Sequence, residues 1–541
     1  MTLDATIIGA FMQRRRLFSR LSRAAALIAW QQLFAPGARA QGDAMGEAAW
    51  RASEDVFTLG VASGEPRHDS VVLWTRLAPR PLETGGGMPP RAVEVTWDVA
   101  EDAEFGRIVR SGIAVAGPDS AHSVHVEVPD LRPDQVYFYR FRAGGQLSPT
   151  GRTRTAPHPL QSPQRLRVAM ASCQHFEYGH FTGHREIAQA DVDLVLFMGD
   201  YIYETPVASR QRVRRHARRF VHFNLDEYRI HHASYKLDAD LRASHAAHPW
   251  LMIWDDHEVF NDYAGDFNRD VTNREDFLRV RTAAYRAYFE HLPISPNRAP
   301  VGPRMAMQAR FQWGDLADFW LLDGRQFRSH PVCRNTWHSL RRGNLLWDCA
   351  EVNTSERTVL GLDQEAWLAQ GLAGSMGQWK FVVQPTQISP SAIHTRLGPL
   401  LYADCWDAFP AARERLLEAI AQPRVPDVVC LGGDVHRHVA ARLRRHPGDP
   451  ASPVIASEIT VTSMTSPGLS ELLTGWMMSS NPDIVHARSD QRGYAILDIT
   501  PERIDCEFRG MPHPALPKSQ LRTQARCVIE RGVAGPRKVL A

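Results

Sequence analysis

Four short apolar runs end in the same kind of residue cluster, and this repetition constrains the fold more than any other feature of the chain. Leu166 to Ala171 leads into Ser172-Cys173-Gln174-His175, and Leu194 to Met198 into Gly199-Asp200-Tyr201-Ile202-Tyr203-Glu204. Trp250 to Trp254 leads into Asp255-Asp256-His257-Glu258, and Val428 to Leu431 into Gly432-Gly433-Asp434-Val435-His436. Short runs with no polar face read as strands buried on both sides. Helical patterns lie among them, as at Glu365-Ala366-Trp367-Leu368 and Ala411 to Leu417. From about residue 165 the chain therefore reads as an α/β domain. In open α/β sheets ligands bind beyond the carboxyl ends of the strands, so the four clusters are candidates for one site. Singly, each has a plain alternative: Asp200 as a helix N-cap, Tyr203 as a core aromatic, Asp255 to Glu258 as a solvated turn, Asp434 and His436 as a surface loop, Cys173 as an inert buried thiol. Four such ends in one chain are hard to assign to packing.

The donor types point to a metal. Carboxylate, phenolate and thiolate are anionic donors suited to a trivalent or hard divalent ion, and imidazole accepts transition metals readily. A glycine before Asp200 and before Asp434 lets the backbone turn sharply off each strand. Asp200 and Tyr203 are three apart, so one loop turn can aim both at one ion. Asp434 and His436 are two apart and share a side of an extended backbone. His175, His180, His184, His231, His232, His245 and His248 are read as surface or packing residues.

Ahead of this domain, alternation at Val93, Val95, Trp97 and Val99, again at Val124, Val126 and Val128, and approximately from Val136 to Phe141, predicts a small antiparallel sandwich. Thr155 to Pro159 reads as the linker that closes it. The expected division is 41–160 for this sandwich, 161–515 for the α/β domain with the strand-end clusters and 516–541 for a C-terminal tail over the surface. Residues 1–40 read as an address: Arg14-Arg15-Arg16-Leu17-Phe18, an apolar run through Trp30, and Ala38-Arg39-Ala40 before Gln41. This is the pattern of a twin-arginine export signal, with an apolar run shorter than the roughly 20 residues of a membrane span. The expectation is a periplasmic or secreted protein with no stable membrane span, exported through the twin-arginine translocation machinery.

Charge and cysteines narrow the function classes. With 63 Lys+Arg against 60 Asp+Glu the net charge is +3, which excludes a polybasic nucleic-acid binder. Residues 1–40 carry six arginines and one aspartate, so the remainder holds 57 basic and 59 acidic residues and is slightly acidic. Among seven cysteines, Cys333 and Cys349 flank a polar segment and are candidates for a disulfide. The odd count leaves at least one free thiol, assigned here to Cys173.

Taken together, Phe57-Thr58-Leu59-Gly60, Leu73-Trp74-Thr75-Arg76, Ala171 to Gln174, Gly199 to Glu204, Trp254 to Val259, Leu322 to Arg328, Trp406 to Pro410, Gly433 to His436 and Thr462 to Gly468 resemble the PhoD-like alkaline phosphatase family of metallophosphoesterases, which is related to purple acid phosphatases. The resemblance covers nearly the whole chain beyond the signal. It implies an αββα sandwich of the metallophosphoesterase type, preceded by a small all-β, immunoglobulin- or fibronectin-like sandwich. It implies one Fe³⁺ on Cys173, Asp200, Tyr203 and His436, with Asp200 bridging to one or two divalent ions, expected as Ca²⁺, on Asp256 and Asp434; other divalent ions remain open. Gln384 stands where relatives often supply a histidine and is a candidate substitute. Gly324 departs from the threonine expected beside Arg325.

The expected reaction is hydrolysis of phosphate esters by metal-bound hydroxide, with the second metal clamping the phosphoryl oxygens. His257 is expected to contact the phosphate or protonate the leaving alkoxide, and Arg325 to neutralise a phosphate oxygen. The run Arg210, Arg212, Arg214, Arg215, Arg218 and Arg219 reads either as a rim that attracts phosphorylated substrates or as a solvated face. The role expected is alkaline phosphatase activity in phosphate scavenging. The alternatives are phosphodiesterase or phospholipase D-type activity on the same metals and, from another class, a non-catalytic exported binding protein.

Overall fold

The computed structural model describes residues 51–217, 224–334, 336–340, 344–396 and 398–539. The export signal expected at 1–40 lies outside them, as do Arg218 and Arg219. Residues from Arg51 onward form one compact unit.

Its centre is two sheets face to face. The first has ten strands, in spatial order Arg537–Val539, Arg522–Glu530, Arg503–Pro512, Gln491–Ile499, Leu166–Ala171, Leu194–Met198, Pro249–Ile253, Val61–Gly64, Val71–Arg76 and Ser123–Val128. The second has seven: Ala309–Trp313, Ala317–Leu321, Trp379–Val383, Val428–Gly432, Val454–Thr460, His438–Arg444 and Ile484–Arg488. Each has a parallel core. That explains the unbroken apolar runs, because such strands are covered on both faces. Alternate residues separate cleanly: Phe319, Leu321, Phe381, Val383, Val429 and Leu431 enter the core between the sheets. Trp320, Leu322, Val382 and Cys430 face the other way, onto Leu368 and Leu372 of the Leu362–Ala373 helix and Leu416 and Leu417 of the Pro410–Ile420 helix. On the outer side of the first sheet lie the helices Thr182–Gln189, Leu225–Lys236, Ala239–Ala247 and Arg274–His291, whose Tyr228, Tyr235, Leu241, Tyr285 and Tyr288 belong to an apolar cluster continuous with that core through the sheet. The arrangement is the expected αββα sandwich.

The expected all-β segment is present, with Ile108–Ala116, Val93–Ala100, Val136–Ala143, Gln146–Leu147 and Gly151–Arg154 in a sheet of their own. It is not self-contained. Val61–Gly64 pairs in parallel with Pro249–Ile253 and carries Val71–Arg76 and Ser123–Val128 into the large sheet. The reason is in the side chains: all ten residues of Val61–Gly64 and Val71–Arg76 are buried, including Arg76, so these strands need cover on both faces.

The surface tail expected after 515 is a correction. Arg522–Glu530 and Arg537–Val539 extend the large sheet at its other edge. Ala525, Cys527 and Ile529 are buried at every second position, a period blurred in the sequence by the apolar, half-buried Val528 between the last two. A third, four-stranded sheet, Ser339–Leu340, Leu345–Trp347, Gly398–Tyr402 and Ile393–Thr395, stands apart from the two main ones. Cys333 and Cys349 form the expected disulfide, with Cα atoms 6.1 Å apart. The other five cysteines, Cys173 among them, are free and buried. Of the histidines read as packing residues, His184 and His245 stack on Trp250, and His232 stacks on His291.

Candidate active site

The loops after the parallel strands of both sheets converge. Ladder-like hydrogen bonds continue past the strand ends and fix the loops to one another: Gly199 N–H donates to Ile253 (3.0 Å), Cys173 N–H to Gly199 (3.1 Å) and Gln174 N–H to Asp200 (3.1 Å). Glu258 ties two loops, accepting from Tyr201 N–H at 2.7 Å and Asp255 N–H at 2.9 Å. The Thr462–Gly468 segment buttresses the cysteine loop, with Ser466 Oγ donating to the Cys173 carbonyl at 3.1 Å and Thr465 Oγ1 to the His175 carbonyl at 2.8 Å.

The backbone marks the same positions. Cys173, Asp200, Asp434 and His436 all have positive φ, between 52° and 60°. That region is costly for non-glycine residues and persists where the surroundings over-determine it, often at functional sites. Gly199 has φ +83°, and a Cβ there would meet Asp255 Cβ at 2.6 Å, so glycine is required for the turn that presents Asp200.

Donor atoms of Cys173, Asp200 and His436 lie within 4.8 Å of one another, and so do those of Asp200, Asp256 and His257, with Asp200 common to both groups. Tyr203 joins the first group: its hydroxyl donates to Asp200 Oδ2 at 2.8 Å and lies 3.3 Å from His436 Nε2. His436 Nδ1 is 2.7 Å from the Pro467 carbonyl, which can only accept, so Nδ1 carries the proton and Nε2 offers a lone pair. Burial, then Arg492, lowers the His436 pKa to about 3 and keeps the ring neutral. Asp434 lies on the same cavity but outside these close groups, and its Oδ2 accepts from Thr386 Oγ1 at 2.7 Å.

The residues fit a bound cation. Asp200 Oδ1 is buried with no hydrogen-bond partner, the position a bridging ligand oxygen would occupy. Burial, reinforced by neighbouring acids, pushes the carboxyls of Asp200 and Asp434 and the thiol of Cys173 well above their ordinary values. A cation among them reverses that balance and lets them ionise.

His257 is held differently. Its Nδ1 lies 2.6 Å from Glu204 Oε2, and Glu204 Oε1 accepts from Asn261 N–H at 2.9 Å. Although burial opposes it, Glu204, Asp256 and Asp200 raise the His257 pKa well above the ordinary histidine value. The imidazolium form is therefore available as a proton donor or an anion contact.

Arg325 departs from expectation. It is fully buried and does not line the cavity. Its Nε donates to Asp255, its two terminal nitrogens donate to Asp404 at 2.8 and 2.6 Å, and Asp256 Oδ1 is 3.6 Å away. Burial alone would raise Asp256; Arg325 and His257 outweigh it and hold that carboxyl below its usual range. Arg325 is thus a buried counter-ion for the acidic loops, with its fork fully engaged and unavailable to phosphate. Gln384 is likewise no ligand, since its amide is closed onto Thr386 and Trp406. Within the arginine run, Arg212 pairs with Glu177 (3.1 Å), and Arg214 stacks on Phe176 (3.7 Å) while pairing with Asp238 (2.5 Å). Arg210 and Arg215 are exposed.

Sequence reasoning found no role for Glu204, Asp404 or Arg437. Glu204 stood inside a quoted motif at a spacing that allowed a second acid. Asp404 had no such signal. Arg437 adjoins His436, lines the cavity and is only 5% exposed. Its NH2 donates to Gln387 Oε1 at 2.8 Å, its Nε is unpartnered, and among the described residues no carboxylate lies within salt-bridge distance.

A two-sheet sandwich with convergent strand-end acids, one thiol, one phenol and two histidines defines a hydrolase built around a metal centre. The comparisons agree. The family model described as PhoD-like phosphatase matches residues 168–508, and that of the PhoD-like phosphatase N-terminal domain matches 42–157. The chain is 40% identical over 490 residues to alkaline phosphatase D of Bacillus subtilis (strain 168), covering 89% of this chain and 82% of that protein. It superposes on a solved structure of PhoD with a TM-score of 0.85 at 39% identity, covering 91% of this chain and 93% of the other. The chain belongs to the PhoD-like phosphatase family and is a phosphoesterase of that metal-dependent class. No helix among the described residues is long and apolar enough to cross a membrane.

Proposed function

We propose that the protein is an exported alkaline phosphatase that scavenges phosphate, with Fe³⁺ on Cys173, Asp200, Tyr203 and His436, and Ca²⁺ on Asp200, Asp256 and Asp434. The observation that carries this reading is Asp200, shared by both groups of close donor atoms and left with one buried oxygen unpartnered. Bound there, the metals supply positive charge that acidifies water and offsets charge on the phosphoryl group. Within the protein, Pro467 orients His436, Thr386 orients Asp434, and Glu204 holds His257, whose proton would go to the leaving oxygen of a bound ester. Arg437 takes the phosphate-binding role expected of Arg325, because it is the cavity arginine without a carboxylate partner. Export by the twin-arginine route rests on Arg14-Arg15-Arg16-Leu17-Phe18, and the Cys333–Cys349 disulfide suits an oxidising compartment.

The test is metal analysis and visible absorption of protein purified through its own export route, with p-nitrophenyl phosphate hydrolysis alongside. Iron and a tyrosinate-to-iron band are expected, and both should fall in Asp200→Asn together with at least about 100-fold of the activity. Full activity in iron-free protein lacking the band refutes the ferric assignment.

A further inference from the structure

The cavity that holds the strand-end acids has a volume of about 510 Å³ and two unlike halves. One is the polar half already described. The other is a wall of Leu345, Ile393, Leu400, Leu469, Leu473 and Met477. The first three come from the small four-stranded sheet; Leu473 and Met477 lie four apart on the inner face of the Glu471–Ser480 helix. Leu345, Ile393, Leu400 and Leu473 are only half-buried, so apolar surface faces the cavity.

The wall is preformed. His394 N–H donates to Ser480 Oγ at 3.0 Å, Asn481 Nδ2 donates to the Ala392 carbonyl at 2.8 Å, and Ser489 N–H donates to Glu471 at 2.6 Å. These bonds fasten the helix to the small sheet and to the neighbouring loop. The Cys333–Cys349 disulfide closes the segment that carries Leu345. A rigid, half-exposed apolar wall beside a phosphate-handling site is what a substrate with an apolar substituent would cover.

Resting on the phosphoesterase reading above, we propose that the preferred substrates are phosphate esters whose organic group is alkyl or aryl, seated on this wall while the phosphoryl group lies at the polar end. The occupant is a part of the substrate itself, because wall and acids line one continuous cavity.

The test uses the metal-loaded, full mature enzyme and soluble alkyl esters below their aggregation limit. From methyl to hexyl phosphate, kcat/KM should rise about two- to fourfold per methylene, and so at least about 30-fold across the series. Leu473→Asn and Ile393→Asn should each cut the hexyl-to-methyl ratio by about tenfold. Leu160→Ser, at a residue 88% exposed and outside the cavity, should leave the ratio unchanged. Calorimetric binding of methylphosphonate and hexylphosphonate repeats the comparison without turnover. A flat series, with phosphonates binding equally, overturns the apolar subsite even if hydrolysis is brisk. No hydrolysis of any ester, with hexylphosphonate still binding at least about 30-fold tighter, sinks the phosphoesterase reading and leaves the subsite standing.

Discussion

Replacing Arg325 with methionine separates a structural from a substrate-binding role. Arg325 is fully buried and balances Asp255, Asp404 and Asp256. Methionine keeps the bulk and removes the charge, leaving buried Asp255 and Asp256 without that cation, while half-buried Asp404 keeps Arg328 at 2.6 Å. Breaking a buried pair from one side costs about 3–5 kcal/mol, mostly the penalty on the stranded partners. At roughly 2.1 cal/mol/K per residue, the unit from Arg51 to Ala541 has an unfolding entropy of about 1 kcal/mol/K, so the expected fall in Tm is about 3–5 °C. The assay is a thermal melt of Arg325→Met against the parent, paired with the inhibition constant for inorganic phosphate. Adding Asp255→Asn, at the acid whose ion pair is with Arg325, should restore part of the loss, with a coupling on the order of 1–2 kcal/mol. An unchanged Tm with phosphate inhibition weakened tenfold or more would refute the reasoning and return Arg325 to the substrate.

The same logic gives the opposite forecast for Arg437→Ala. Hydrogen bonds to charged groups are worth about 1.5–3 kcal/mol, so the phosphate inhibition constant should rise about 10- to 150-fold while the Tm holds, and an unaltered constant would count against the assignment. Buried His184 and His248 give a pH prediction. Burial lowers their pKa values to about 3 and about 4, below the roughly 6.5 of an unfolded chain. As pH falls from 6.5 the unfolded state takes up protons that the folded state refuses. Their contribution is therefore complete above pH 6.5 and declines below it, by about 2 kcal/mol each at pH 5. Urea melts at pH 8, 6.5 and 5 should show the loss, and His248→Gln should reduce it. Finally, Cys333 and Cys349 are 16 apart in sequence, and Cys333→Ser should cost about 3 kcal/mol, read as a lower denaturation midpoint in non-reducing buffer.

What could be read from sequence followed from how locally each signal is encoded. The strands bearing Cys173, Asp200, Asp256 and Asp434 were legible because strands covered on both faces must be apolar throughout, and the residues just beyond are then conspicuous. The strand from Arg522 to Glu530 was not, because Thr523 and Gln524 precede its first buried residue and apolar Val528 stands on the outer face, which leaves only Ala525-Arg526-Cys527 as clean alternation. The joining of Val61–Gly64 to Pro249–Ile253 was invisible for a different reason: parallel pairing across nearly 190 residues leaves no local trace. The two arginines show where local reading stops. Arg325 sits in a motif and Arg437 next to a proposed ligand, so position alone favoured the first. What separates them is charge balance in space. Asp404, 79 residues from Arg325, engages both terminal nitrogens of its guanidinium, whereas Asp434 and Asp407 act on Arg437 only from beyond salt-bridge distance among the described residues. A buried cation already matched by acids has no charge left to offer a substrate. One left unmatched on a cavity wall is stabilised when an anion arrives. The assignment of Arg437 to the phosphoryl group therefore follows from which carboxylates fold around each guanidinium, a property of the tertiary structure.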